Sequence, residues 1–350
     1  MKKTVLSVAA LLLGFLAYSQ EADNLGRHAE VSVIPRLDLN PVYGPENSEL
    51  GFDLGNSSLY TLFEGSLSEH FSWTVANHWL QYDSEDCLWP YKSLGRSDST
   101  SWLDYFKADF SFSGWTFTLG KDMVSTGGFE YDDWDWDIYP VFSTPFASNF
   151  CCYQWGGKVA YTTPSEMSTF SAQMTSSPYG ERPFASGLWT YSAMWRGEYG
   201  PLSNIWSVSA VEREPKAYDY IFYLGQRVSF DDLTLTVDWS NNYGSDNTCI
   251  LDGSDEDSGT VFVPGKGNTV AATLAYSFSD ALNISAKGSY VASHDRDLYR
   301  DHWTAGCILE YFPLADSQDL RLHALLAYNS ELAQTTLSIG ARWNFVISLF

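Results

Sequence analysis

The sequence has only one long hydrophobic run, and it lies at the amino terminus. The mostly apolar segment Val5–Tyr18 follows two lysines and precedes a possible cleavage site before Gln20, with small residues at the −3 and −1 positions. This layout is typical of a secretory signal peptide and is too short for a comfortable membrane-spanning helix. No later run of about 18 apolar residues occurs, so we expect no transmembrane helix after it. The sequence thus predicts a signal peptide over 1–19 and one exported domain over 20–350.

Basic residues are scarce. The chain has 20 Lys and Arg against 43 Asp and Glu, and without Lys2 and Lys3 the exported part has 20 − 2 = 18 basic residues and a net charge of −25. We expect no nucleic-acid partner, because binding phosphates requires a basic surface. Aromatic residues are abundant, at 16% of the chain with 14 Trp and 22 Tyr. Such rings collect where a protein meets a membrane interface.

The sequence also lacks the usual signatures of metal, disulfide and catalytic sites. Its cysteines are odd in number, scattered and without C-x-x-C spacing, which argues against a disulfide framework and a zinc site but leaves one bridge of unknown partners open. Neither G-x-S-x-G nor H-E-x-x-H occurs. We therefore expect no metal and no cofactor. The cysteines are Cys87, Cys151, Cys152, Cys249 and Cys307.

What the sequence does contain is alternation with a period of two. In 232–239, Leu, Leu, Val and Trp alternate with Asp and Thr, and similar patterns occur in 105–112 and 270–278. Alternation places apolar groups on one sheet face and polar groups on the other. A soluble sandwich turns its apolar face inward, whereas an outer-membrane barrel turns it toward lipid. The apolar stripes end in Trp, Tyr or Phe, as interfacial girdles do, and the barrel is therefore the prediction.

Connection lengths support the same fold class, a transmembrane antiparallel up-and-down β-barrel of about 16 strands. Short and long connections alternate along the chain, as expected for short periplasmic turns and long outer loops. The predicted strands lie near 29–37, 57–65, 69–81, 102–112, 114–121, 152–162, 168–176, 188–198, 203–212, 219–229, 232–240, 268–278, 281–291, 301–311, 319–328 and 335–346.

The carboxyl-terminal strand ends in a pattern of its own. A polar residue, Gly340, Trp343 and Phe345 are followed by the last residue, Phe350. This spacing resembles the carboxy-terminal signal that outer-membrane barrels present to their assembly machinery. An ordinary closing strand is the alternative, and it explains the alternation without explaining the terminal phenylalanine.

The longest connection, 122–151, combines the pair Gly127-Gly128 with acidic and aromatic residues. Exposed aromatic rings would lie in water with nothing to pack against, so the composition favours a loop folded into the barrel as a constriction. Packing on neighbouring outer loops or on a partner subunit is the alternative. The acidic residues of this candidate constriction loop are Glu130, Asp132, Asp133, Asp135 and Asp137.

Two segments carry a family resemblance. "LGKDMVSTGGFEYD" (119–132) followed by "NFCCYQWGGKVAYTT" (149–163) is similar to the strand–loop–strand region of the phosphate-selective porin O and P type family. The resemblance covers about 119–177. It implies a sixteen-stranded channel, commonly a trimer, that passes small anions. Such a family would be expected to carry basic residues at the constriction, where this chain has only Lys121 nearby.

The polar parity of the predicted strands supplies candidate pore-lining charges. Positive charges outnumber negative ones on it, which predicts an anion preference because fixed charge of one sign enriches the opposite ion. Acids of the constriction loop would favour cations instead, or would set up a transverse field with the wall arginines. The candidates are Lys107, Asp109, Lys158, Arg196, Arg227, Asp238, Lys287, Glu310, Arg321 and Arg342.

The sequence-level prediction is a porin for small hydrophilic solutes or ions. Two alternatives stay open: a barrel enzyme, such as a hydrolase built around His70, His78 or His323 on the polar parity, and a structural or adhesive barrel. The second acidic loop, 241–267, does not match a calcium-loop motif and is predicted to be solvated. The expected partners are outer-membrane lipid and lipopolysaccharide, the barrel-assembly machinery and two further copies of the chain in a homotrimer.

Overall fold

The structure is a computed structural model that describes most of the exported chain. The described residues are 27–44, 47–54, 57–83, 87–88, 103–132, 144, 146–147, 150, 152–180, 183–250, 262–293 and 300–349. The predicted signal peptide, 1–19, lies outside them.

Almost every described residue belongs to a strand or a turn. The strands are β1 (His28–Gly44), β2 (Asn47–Asp53), β3 (Ser58–Ser68), β4 (Phe71–Asp83), β5 (Cys87–Leu88), β6 (Leu103–Phe112), β7 (Trp115–Met123), β8 (Tyr153–Thr162), β9 (Ser168–Ser176), β10 (Trp189–Tyr199), β11 (Leu202–Glu214), β12 (Ala217–Phe230), β13 (Leu233–Ile250), β14 (Phe262–Ser279), β15 (Leu282–Ser293), β16 (His302–Tyr311), β17 (Leu320–Asn329), β18 (Gln334–Trp343) and β19 (Phe345–Ser348). A one-turn helix, α1, spans Phe129–Asp132. No helix in the described part of the chain is long and apolar enough to cross a membrane.

Within the described residues, sixteen of these strands form a closed antiparallel barrel. Each wall strand pairs with the next along the chain, and β1 pairs with β18 and β19 to close the ring. One register joins β1 to both segments, from Val42↔Thr336 through Arg36↔Arg342 to Glu30↔Ser348. Strand β19 therefore continues β18, while β2 and β5 are additions to β1 and β4. The predicted fold class is confirmed.

The two faces of the wall differ as the alternation predicted. Large apolar side chains are exposed on the outer face, such as Phe117 and Leu119 on β7 and Val237 on β13. Between them, Thr118 on β7 and Thr236 on β13 are buried on the inner face. This is the arrangement of a barrel that meets lipid outside and polar groups inside. Exposed rings such as Trp115, Trp303 and Tyr311 lie at or next to strand ends, where interfacial girdles form.

Several strands run farther than the alternation indicated. Strand β1 continues to Gly44 and pairs with β2, which lies in the predicted loop 38–56. Strands β13 and β14 enter the predicted acidic loop 241–267 as a hairpin that extends to Ile250 and resumes at Phe262. These loop boundaries were wrong because backbone pairing continues past the ends of the predicted strands. On β1 the alternation itself continues, since Leu39 is exposed on the outer face and Asp38 is buried on the inner face.

Candidate functional site

The third long connection turns into the barrel. The predicted loop begins late: Asp122 and Met123 still belong to β7, because they pair with β8. From there the chain crosses to the inner face of other strands, where Ser207 of β11 donates a hydrogen bond to the carbonyl of Gly127 at 2.8 Å. The amide of Ser125 donates to Gln173 Oε1 of β9 at 2.5 Å. We call 124–132 the docked segment.

Apolar packing holds the docked segment against the wall. Phe129 packs with Met194 of β10 and Ile205 of β11. Tyr131, which is 1% exposed, belongs to a second buried cluster that joins the loop to β11 and β12. The members of this second cluster are Val124, Tyr131, Phe146, Phe150, Cys152, Val211, Ile221 and Tyr223. The aromatic residues of the loop thus find partners inside the barrel instead of contacting water.

One wall carboxylate anchors helix α1. Asp238 on β13 accepts hydrogen bonds from the amide of Phe129 at 2.8 Å and from the amide of Glu130 at 2.7 Å. These are first-turn amides that have no partner within a helix. A negative charge at a helix amino terminus is also favourable. Asp238 therefore fixes both the position and the direction of the docked segment.

The glycine pair makes this close approach possible. Gly127 has φ +87°, a left-handed conformation that glycine adopts without strain. A Cβ on Gly128 would lie 2.1 Å from Asp238 Oδ1 and 3.2 Å from the ring of Tyr223. A Cβ on Gly225 of β12 would meet the same Asp238 oxygen at 2.5 Å. The sequence motif is thus explained by docking on a carboxylate, a role the sequence alone did not indicate.

A buried carboxylate on the docked segment pairs with the wall. Glu130 Oε1 accepts from Lys287 Nζ on β15 at 2.6 Å and from the amide of Thr144 at 2.8 Å, and Oε2 accepts from Thr144 Oγ1 at 2.7 Å. The carboxylate is 4% exposed and the lysine side chain 17%. Glu130 therefore ties the outgoing arm, the returning arm and the wall together.

Two further wall cations contact the segment. Arg196 of β10 pairs with Asp132 through two hydrogen bonds, the longer of them 2.7 Å, and its side chain is 42% exposed. The guanidinium of Arg227 lies 4.1 Å from the ring centroid of Phe129 and donates to Thr236 of β13 at 3.0 Å. The loop side of the wall is therefore a set of cations that hold a folded segment.

Another pair of predicted pore-lining residues converges on an acid that the sequence placed in the loop. Lys107 of β6 and Lys158 of β8 contact the Asp122 carboxylate at 3.2 and 2.5 Å. Asp122 is an inner-wall residue, and the strand boundary set at 121 concealed it. Asp109 of β6 accepts a hydrogen bond from Thr118 of β7.

The remaining predicted charges lie where the barrel closes. Arg321 of β17 donates to Glu310 of β16 at 3.0 Å. Arg342 of β18 is in register with Arg321 on one side and with Arg36 of β1 on the other. Arg36 and Asp38 were both missed by the sequence reasoning, Asp38 because the predicted strand ended at residue 37. Reading the even-numbered parity beyond that boundary would have found Asp38.

Some predicted residues lie outside the described part of the chain. These are Asp133, Asp135, Asp137 and Phe350. Gly340, Trp343 and Phe345 lie on β18 and β19, with Trp343 and Phe345 stacked at 4.4 Å between centroids. Cys152 and Cys307 are free thiols. Among the described residues, no group of three or more His, Cys, Asp and Glu could hold a metal ion.

The candidate histidines do not assemble into one site. His70 occupies the turn before β4 and is exposed. Its assignment to the inner face was therefore wrong, because the strand begins one residue later, at Phe71. His78 Nδ1 lies 2.7 Å from Asp104 Oδ2 on β6, and His323 Nε2 lies 3.0 Å from Asp38 Oδ1. The side chains of His78 and His323 are 9% and 0% exposed, which leaves little of either for a substrate.

Comparison with solved structures shows the same barrel in a porin and in another outer membrane protein, both of low sequence identity. A mutant of the Rh. blastica porin superposes with a TM-score of 0.58 at 14% identity, over 91% of this chain and 100% of that one. OmpT, an outer membrane protein of Vibrio cholerae, superposes as a loop L8 deletion mutant with a TM-score of 0.57 at 11% identity, over 91% and 100% of the two chains. Outer-membrane expressed OmpT of Vibrio cholerae gives 0.56 at 11%, over 91% and 98%.

No protein-family model matches the sequence, and neither does any curated protein. The narrower resemblance to phosphate-selective porins therefore stays a prediction. At these identities the structural likeness establishes the fold: the chain is a closed sixteen-stranded β-barrel of the architecture that porins have.

Proposed function

We propose that this protein is an outer-membrane porin through which small hydrophilic solutes or ions diffuse passively. The observation that carries the proposal is the docked segment, held inside a closed barrel by Asp238, Lys287 and Arg196. A barrel of sixteen to eighteen strands leaves an aqueous channel. A segment whose helix α1 is anchored at its amino end by a wall carboxylate, and whose acids are paired with wall cations, narrows such a channel without depending on the outer loops.

The pairing pattern bears on ion selectivity. Lys107, Lys158, Arg196, Lys287 and Arg321 each contact a carboxylate, so their charges are largely offset locally. The excess of positive charge on the wall is therefore smaller than the sequence parity indicated. An anion preference stays a proposal that depends on the lysine pair at Asp122 and the arginine row near Arg342, while the loop acids would oppose it.

Several finer features belong to the same proposal. Membership of the phosphate-selective porin family is supported by the glycine pair and acid of the docked segment, which correspond to the quoted family region. Assembly as a homotrimer, contact with lipopolysaccharide and recognition by the assembly machinery through Trp343 and Phe345 would follow for a porin. Export through a signal peptide over 1–19 completes the proposal.

The enzyme and adhesive alternatives have less support. Both buried histidine–aspartate pairs are shielded from solutes, so neither presents an imidazole to a substrate. An adhesin has no evident need for a segment anchored inside its barrel. We therefore propose a channel that performs no catalysis and uses no cofactor.

The experiment is single-channel recording of the refolded protein in a planar bilayer with a salt gradient across it. We expect stable conductance steps. An anion-selective reversal potential would support the basic wall as the filter, and a cation-selective one would transfer that role to the loop acids. Absence of conductance from protein shown to be folded would reject the porin proposal.

A further inference from the structure

Near the site where the barrel closes, two side chains reach each other across an intervening strand. Asp38 on β1 is in register with Gly340 on β18, and Gly340 is in register with His323 on β17. Neighbouring strands lie about 4.8 Å apart, so the backbones of β1 and β17, on either side of β18, are roughly 10 Å apart. Even so, His323 Nε2 lies 3.0 Å from Asp38 Oδ1, and both side chains are 0% exposed.

Gly340 provides the space for this contact. A Cβ at that position would lie 2.3 Å from Asp38 Oδ1 and 2.6 Å from His323 Nε2, and also 2.6 Å from the carbonyl oxygen of Leu37. Any side chain at position 340 would therefore disrupt the contact between Asp38 and His323. Gly340 belongs to the pattern that resembles an assembly signal, and this contact is a second, steric reason for glycine at that position.

The adjacent row of residues explains why an acid is needed there. Arg36, Arg342 and Arg321 occupy directly paired positions on β1, β18 and β17. Like charges at opposite positions of an antiparallel pair are destabilising. Arg36 donates from Nε and Nη2 to the Asp38 carboxylate, the shorter bond being 2.7 Å. The charge of Arg321 is offset by Glu310, 3.0 Å away. The Asp38 carboxylate contacts both Arg36 and His323.

The Asp38–His323 contact also joins strands that are far apart in the chain. All other pairs of neighbouring wall strands are consecutive along the described wall, whereas β1 pairs with strands about 300 residues away. That pairing forms only when the ring closes, and it carries the largest loop-closure entropy. Strands β1 and β17 become second neighbours at the same moment.

We propose that Asp38 and His323 form a closure clasp, a contact across Gly340 that holds the first strand of the barrel against the last hairpin. The clasp acts on the one pairing that cannot form locally. It depends on the fold alone, so its failure would leave the proposed channel function unaffected, and the reverse also holds.

The test compares His323→Ala with His78→Ala, since the His78–Asp104 pair has the same chemistry on sequential strands β4 and β6. The measurements are the unfolding rate in denaturant and the hydrogen exchange of individual strands. We expect His323→Ala to unfold roughly tenfold to a hundredfold faster, because the buried Asp38 carboxylate loses the imidazole that lies 3.0 Å from it. Exchange protection should fall in β1 and β18. For His78→Ala, the loss of protection should be confined to β4 and β6.

The coupling between the two residues gives a second criterion. The double variant Asp38→Asn, His323→Ala should unfold no faster than the faster single variant, because either change already removes the Asp38–His323 contact. The weakening of the Arg36 pair belongs to Asp38→Asn in both backgrounds. His323→Gln, whose amide can still donate to Asp38, should recover part of the loss. Additive effects, or unchanged protection in β1 and β18 of folded His323→Ala, would overturn the clasp.

Discussion

Contacts between basic side chains and carboxylates occur in two regions of the inner wall, and they hold different parts of the molecule in place. On the loop side, Asp238, Lys287 and Arg196 hold a folded segment that does not belong to the wall. On the other side, where β1 meets β18 and which we call the seam, Arg36 and Asp38 contact partners within the wall itself. If the proposals hold, the loop side determines how much of the channel is filled, and the seam side determines whether the ring stays closed.

The difference teaches which contacts should affect passage and which should affect stability. The loop-side contacts join two parts that could separate while the barrel remains intact. The Asp38–His323 contact at the seam joins strands that cannot separate without opening the barrel. We therefore expect loop-side variants to change conductance at nearly constant barrel stability, and seam variants to do the opposite.

The largest loop-side effect is expected for Asp238→Ala. It removes both acceptors from the first-turn amides of α1, each hydrogen bond to a charged group being worth about 1.5–3 kcal/mol. The docked segment should leave the wall, and single-channel conductance should rise and fluctuate. Asp109→Asn, an inner-wall change on β6 away from the segment, is the control. Equal conductance in Asp238→Ala and wild type would show that the anchor is not needed.

A smaller effect is expected for Gly128→Ala. The new Cβ would lie 2.1 Å from Asp238 Oδ1, and overpacking of this kind costs about 1–3 kcal/mol. The conductance should change in the same direction as in Asp238→Ala. Gly288→Ala on β15 is the matched control. The nearest atom to its new Cβ would be the carbonyl oxygen of Thr304, at an ordinary contact distance of 3.7 Å. If both alanines behave alike, the steric explanation of the glycine pair is wrong.

The Glu130–Lys287 pair should come next. Lys287→Met leaves a carboxylate that is 4% exposed without its cation and should loosen the segment by about 1–2 kcal/mol, less than for a fully buried pair. Conductance noise in single-channel records measures this loosening. Adding Glu130→Gln removes the orphaned charge and should restore quiet records. Noise that persists unchanged in the double variant would mean that Lys287 acts by another route.

Arg196→Met should have the smallest effect. Its pair with Asp132 is exposed, and such pairs contribute about 0.2–1 kcal/mol. We expect a slight change of conductance at low salt that disappears at about 1 M salt, where the Debye length is about 3 Å. A change that persists at high salt would show that Arg196 acts by shape and not by charge.

The sequence predicted the wall well and the contents of the barrel poorly. Strand β9 was predicted with its observed bounds, 168–176, because alternation reports which face meets lipid. The partners of Asp238 and the crossing over Gly340 could not be predicted. They join residues about 110 and 285 positions apart through a loop path and a ring closure, neither of which leaves a local pattern.

Swelling of liposomes in sugars of graded size tests the central claim, a passive channel narrowed by its own loop, most directly. Liposomes that contain the folded protein should swell rapidly in a monosaccharide, more slowly in a disaccharide and not at all in large oligosaccharides. Asp238→Ala should move that limit to larger sugars. Liposomes with folded protein that swell neither in the monosaccharide nor in a simple salt would contradict the channel.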